Sequence, residues 1–151
     1  MGNTKIMDAR CTKKKILRLN IDINYKTLTV MTYLERAGDF QAMQDNNQVM
    51  EAFEKYYADN CIITEMPTGE KREGKDAQRK AIEEWFELVE ELHDSGVRSI
   101  TADEENAITC CEVWYDATYK GMGRSKMEEV AIQKWEGDKI IEERFYYHSP
   151  G

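Results

Sequence analysis

Apolar residues along the chain keep two different periods. From Val30 they recur at Leu34, Ala37, Phe40 and Met43, the spacing of a helix face. Asp45-Asn46-Asn47 breaks that run, and Val49, Met50, Phe53, Tyr56 and Tyr57 predict a second, short helix. Residues 61–66 read as a strand stopped by the turn Pro67-Thr68-Gly69, and 71–73 bring the chain back to Gly74. Ala81, Ile82, Trp85, Phe86, Val89 and Leu92 mark a third helix. His93-Asp94-Ser95-Gly96 stands at its expected end, with Gly96 where a helix C-cap favours glycine. Beyond Gly96 the pattern is strand throughout: 97–102, 107–119, 125–135 and 139–148, joined by short turns in an antiparallel meander.

The segment 107–119 spans about 43 Å if fully extended, far longer than an ordinary strand. A strand of that length is expected to coil with its sheet. The expected fold is therefore α+β, with a cone-shaped curved antiparallel sheet wrapped over three N-terminal helices.

Composition narrows the picture. The 151 residues suit one domain. The net charge of −8 argues against nucleic acid and anionic membrane as partners. No apolar run approaches the ~18–20 residues that cross a bilayer. Residues 1–30 differ from the rest: they carry seven Lys/Arg and two Asp. This basic N-terminal extension reads either as translated upstream sequence, with the natural start at Met31, or as an arm that docks on something acidic. The domain itself is placed at 31–151. The four cysteines, Cys11, Cys61, Cys110 and Cys111, form no CxxC, and neighbours on a strand point to opposite faces. They read as free, buried thiols of a reducing compartment, and no secretory signal is apparent, so the expected location is cytoplasmic. Neither histidine stands in a metal-binding spacing, so no metal and no cofactor is expected.

Three segments resemble a known superfamily in order and spacing. Tyr57-Ala58-Asp59-Asn60 followed by Ile62-Ile63-Thr64-Glu65 is similar to a "YADD" stretch and its strand. Glu73-Gly74-Lys75-Asp76-Ala77 resembles an "xGKDA" helix start. Met127-Glu128-Glu129-Val130-Ala131 with Gly137-Asp138-Lys139-Ile140-Ile141 resembles a closing hairpin. Together they cover about 31–148 and look like the nuclear transport factor 2-like superfamily, in its SnoaL-like and ketosteroid isomerase-like branch. That branch holds isomerases, polyketide cyclases, dehydratases and non-enzymatic binders, so fold does not settle function. In ketosteroid isomerases the general base lies on the strand after "YADD". Counting forward places it on Glu65; counting back from Pro67 places it on Met66. The family's oxyanion-hole tyrosine on the first helix has no match, since Phe40 or Gln41 stands there.

Strand pairing read from the turns supplies the second carboxylate. Centring the 120–124 loop pairs Tyr119 with Ser125, and centring Gly137-Asp138 pairs Glu136 with Lys139. One face then carries Val113, Tyr115, Met127, Glu129, Ala131, Trp135, Ile140 and Tyr146. Glu129 is a lone carboxylate there, with a raised pKa expected from desolvation, or else a partner of Arg144. The candidate catalytic pair is Glu65 and Glu129; Trp85, His93, Tyr115 and Tyr146 are expected to line the pocket. The expected ligand is a small apolar organic molecule, bound for cofactor-free acid/base chemistry or for binding alone. The other face, with Trp114, Val130, Ile132, Phe145 and Tyr147, predicts a homodimer through the outer sheet face. Asp103-Glu104-Glu105 reads as a solvated turn.

Overall fold

The computed structural model describes residues 30–148. The basic extension, apart from its last residue, lies outside them, and so does Cys11. The described residues form, in order, α1 (Tyr33–Asp45), α2 (Val49–Tyr56), β1 (Tyr57–Glu65), β2 (Glu70–Glu73), α3 (Lys75–Leu88), β3 (Val89–Asp103), β4 (Ile108–Tyr119), β5 (Gly123–Glu136) and β6 (Lys139–Tyr147). Among them no helix is long and apolar enough to cross a membrane.

Capping fixes where α1 begins. The Thr32 side chain accepts the Glu35 amide, and the Glu35 carboxylate accepts the Thr32 amide. Glu104, expected in solvent, accepts the Tyr33 and Leu34 amides at 2.9 Å each. It satisfies two helix donors that would otherwise lack partners and ties the β3–β4 turn to α1. Gly74 opens α3 at φ +88°, a conformation that favours glycine, and its amide bonds the Cys61 carbonyl at 2.8 Å.

The sheet corrects the expected cone. Its six strands run in the order β2-β1-β6-β5-β4-β3. β3 to β6 form an antiparallel meander, but β1 lies parallel to β6, with Thr64 beside Arg144 and Glu65 beside Phe145. The sheet is thus mixed, and it stays open, with β2 and β3 as separate edges rather than curling strongly into a cone. Alternation and turns report faces and chain reversals; they carry no signal for which distant strand β1 joins, or in which direction. The element order is the expected one, with α3 between β2 and β3.

The third helix also ends early. Its last residue is Leu88, and His93-Asp94-Ser95-Gly96 lies inside β3. Gly96 caps nothing. It pairs with Trp114, and a Cβ there would come within 3.1 Å of Trp114 Nε1. The glycine makes room for the indole.

The core lies between the helices and one face of the sheet. Ala37 and Phe40 of α1, Ala52, Phe53 and Tyr56 of α2, and Ile63, Cys111, Trp135 and Ile140 of the sheet are buried together. Phe40 meets Tyr56 edge-on at 5.8 Å, and Tyr56 meets Trp135 in the same way at 5.7 Å.

Candidate functional site

Register decides which side chains face the helices. β4 and β5 pair Tyr119 with Gly123, two residues from the expected partner, so Val113 faces Glu129 and Tyr115 faces Met127. A two-residue shift keeps every side chain on its expected face. β5 and β6 begin as expected with Glu136 opposite Lys139, but a bulge follows: Trp135 pairs with Ile140 and Lys134 with Glu142. One extra residue reverses every later side chain of β6. Glu143, Phe145 and Tyr147 turn inward with Glu129, while Arg144 and Tyr146 turn outward. The expected Glu129–Arg144 pairing is therefore ruled out, and Tyr146 is 38% exposed rather than pocket-lining.

A cavity of about 390 Å³ opens between this inner face, α1 and α3. Glu65, Glu129, Trp85 and Tyr115 line it together. Trp85 stands edge-on to Tyr115 at 5.8 Å and to Phe86 at 5.5 Å. His93 does not line it. Because α3 stops at Leu88, His93 lies within β3, where its Nε2 meets Thr118 Oγ1 at 2.7 Å.

The carboxylates differ in their partners. Glu65 forms an ion pair with Arg72 of β2, its diagonal neighbour across the hairpin. The Tyr147 hydroxyl beside it is pushed above its ordinary pKa by burial and by Glu65. Glu129 has no hydrogen-bond or ion-pair partner among the described residues. Burial first, then Glu143 and Glu65, push its pKa up to about 8. Burial also raises Tyr115, whose hydroxyl lies 2.9 Å from Met127 Sδ.

Sequence reasoning missed Glu143 and Tyr57, which also line the cavity. Glu143 is 2% exposed and accepts hydrogen bonds from the Tyr57 hydroxyl and from Gln133 Nε2, the latter at 2.8 Å. Its pKa is pushed up to about 7: burial raises it, and the two donors pull it back. Gln133 Oε1 accepts from Thr109 Oγ1 at 3.0 Å, and Trp135 Nε1 donates to the same Oγ1 at 2.9 Å. Thr109, Gln133 and Glu143 are register partners on three adjacent strands. Only the bulge brings Glu143 into that row, and nothing in the local sequence announces a bulge.

The arrangement offers a carboxylate paired with arginine at Glu65, a proton held near neutral pH at Glu129, and aromatic walls. Among the described residues no group of three or more His, Cys, Asp or Glu side chains is placed to hold a metal ion.

Comparisons with known proteins agree with this architecture. A model of the SnoaL-like domain matches residues 31–147. The structure of a protein assigned as a SnoaL-like polyketide cyclase from Mesorhizobium loti is 32% identical and superposes with a TM-score of 0.69. The match covers 78% of this chain and 100% of that one. A protein assigned as a polyketide cyclase from Pseudomonas putida is 22% identical, with a TM-score of 0.61 over 78% of this chain and 92% of its own. One assigned as an isomerase from Bacillus subtilis is 15% identical, with a TM-score of 0.66 over 78% and 90%. The last two likenesses bear on the fold alone. Among curated proteins no sequence matches.

Proposed function

The chain belongs to the SnoaL-like domain family, and from that premise we propose that its cavity binds a small organic carbonyl compound and moves a proton on it without a cofactor. The observation that carries this reading is that Glu65 and Glu129 line one aromatic-walled cavity. Glu65 takes a proton from the carbon next to the carbonyl, and the electron pair moves to the carbonyl oxygen. Glu129 in its protonated form, or Tyr115, donates a hydrogen bond to the oxyanion that develops. Return of the proton to a different carbon gives an isomerase. Attack of the enolate on a carbon of the same molecule gives a cyclase, and expulsion of a β-hydroxyl as water gives a dehydratase. The name of the 32%-identical relative, a SnoaL-like polyketide cyclase, supports the same chemistry.

The test is deuterium exchange. Wild-type protein in D2O should speed exchange at the methyl carbon of acetophenone, followed by NMR. Glu65→Gln should lose roughly 100-fold or more of that rate while still binding the ketone. A second reading, a binding module without turnover, is favoured by the Glu65–Arg72 pair, which occupies the base. Bound ketones that never exchange at any pH would select it.

The outer sheet face supports a homodimer. Phe145 and Tyr147 have turned inward, so the apolar patch narrows to Trp114, Val130 and Ile132, with Tyr146 opposite Val130. Light scattering should show a dimer at micromolar concentration, and Ile132→Lys should shift it toward monomer; a wild-type monomer would refute the interface. The free thiols of Cys61, Cys110 and Cys111 support a reducing, cytoplasmic setting.

A further inference from the structure

One polar chain beside the cavity has no part in the proton transfer above. It runs from Trp135 through Thr109, Gln133 and Glu143 to Tyr57, and its hydrogen-bond directions can be followed from one end. An indole N–H only donates, so Thr109 Oγ1 accepts from Trp135 and gives its own proton to Gln133 Oε1. That leaves the Gln133 amide nitrogen to donate to Glu143 Oε1. Oε1 is thereby fixed as an acceptor. The remaining freedom lies at Oε2, toward Tyr57. An ionised Glu143 accepts the Tyr57 proton there. A protonated Glu143 carries its proton on Oε2 and donates it to the Tyr57 oxygen, which turns the Tyr57 proton toward the cavity that both residues line.

We infer that Glu143 is a positioning residue that sets whether Tyr57 offers a ligand in the cavity a hydrogen-bond donor or an acceptor. The ring of Tyr57 is held by Phe53 at 5.0 Å and Phe40 at 5.9 Å, so the hydroxyl proton is the part free to turn. Every group around Glu143 bears on its charge. Tyr57 from β1 and Gln133 from β5 favour the ionised form by donating to it. Glu65 opposes ionisation and Arg72 favours it. Glu129 lies on the same face of β5 and is itself disfavoured as an anion by Glu143. The thiols of Cys61 and Cys111 are both held neutral by burial. The balance puts the change at about 7. Below that pH the cavity presents a donor suited to a carbonyl oxygen. Above it the cavity presents the Tyr57 oxygen, suited to a hydroxyl or N–H. This selectivity rests on the reading that a small carbonyl compound fills the cavity; the switch itself does not.

The first experiment needs no ligand. With 13C at the tyrosine Cζ, the Tyr57 signal, assigned by its loss in Tyr57→Phe, should step between pH 5 and 9 with a midpoint near 7. The step should vanish in Glu143→Gln and persist in Glu129→Gln. If Glu143→Gln does not fold, Gln133→Met serves instead: it removes a donor from the ionised form and should move the midpoint upward. An absent step, a step that survives Glu143→Gln, or a midpoint unmoved in Gln133→Met overturns the inference. The second experiment is acetophenone affinity. It should fall about tenfold between pH 5.5 and 8.5 in Glu129→Gln, which removes that residue's own titration near 8, and stay flat in the double variants Glu129→Gln/Glu143→Gln and Glu129→Gln/Tyr57→Phe. A fall that persists in Glu129→Gln/Glu143→Gln also overturns it. A clear NMR step with no acetophenone binding at any pH upholds the switch and counts against the carbonyl reading instead.

Discussion

Two carboxylates on the inner face of the sheet sit on neighbouring strands and receive opposite treatment. Glu143, in the Thr109–Gln133–Glu143 row, is almost wholly buried yet accepts hydrogen bonds from Tyr57 and Gln133. Glu129, two rows along β5, is only half-buried and accepts none. Burial raises the pKa of both; at Glu143 the two donors pull it back, whereas at Glu129 no donor opposes burial and the neighbouring Glu143 and Glu65 add to it. Donors, more than burial, separate a carboxylate held in a fixed geometry from one free to trade its proton.

Three changes test that contrast, in falling order of effect. Glu129→Gln should stabilise the protein by roughly 4 kcal/mol at pH 9, measured by urea unfolding. Glu129 has a folded pKa near 8, above its ordinary 4.5. In that window the folded state holds a proton that the unfolded chain releases, so wild-type stability falls as pH rises from 4.5 to 8. The variant's advantage should therefore fade to nothing below pH 4.5. A stability difference that is flat with pH would show that Glu129 is solvated, and the contrast would collapse.

Gln133→Leu should make Glu143 resemble Glu129. It removes a donor from a buried carboxylate and strands the Thr109 hydroxyl. A loss of about 3 kcal/mol is expected in the same unfolding assay, with the pKa of Glu143 moving upward by NMR. Thr109→Val sharpens the comparison one link further out. It leaves Trp135 Nε1 and Gln133 Oε1 without their partner but leaves Glu143 its donors. A loss of about 1.5 kcal/mol is expected, with the pKa of Glu143 hardly moved. A large pKa shift in Thr109→Val would mean that the chain acts on Glu143 as one unit.

The helical and strand periods of the sequence placed Trp85, Tyr115, Glu65 and Glu129 on elements that do meet at one cavity. The β4–β5 faces survived an error of two residues because side chains alternate with a period of two. The β6 face did not survive an error of one, and Tyr146 was expected inside in place of Tyr147. His93 was misplaced for a different reason. Apolar spacing through Val89 and Leu92 extends the helical pattern past Leu88, while the pairing of Val89 with Tyr119 claims those residues for β3. Tertiary pairing overrode local period. The parallel β1–β6 contact and the polar row behind the cavity rest on long-range register, which no short window of sequence encodes.

The bulge opposite Lys134 and Trp135 also has a kinetic side. Without it, β5 and β6 would continue in unbroken register from the Glu136–Lys139 turn, with comparable backbone hydrogen bonding and with Arg144 and Tyr146 turned inward. The hairpin alone has little means of choosing between the two. What favours the bulged register comes from elsewhere: Tyr57, 86 residues before Glu143, and β1, which pairs along Glu142–Phe145. Docking of β1 therefore acts as proofreading for β6. Contacts this distant in sequence carry a larger loop-closure cost, so correct registration of the last strand is expected among the late steps of folding.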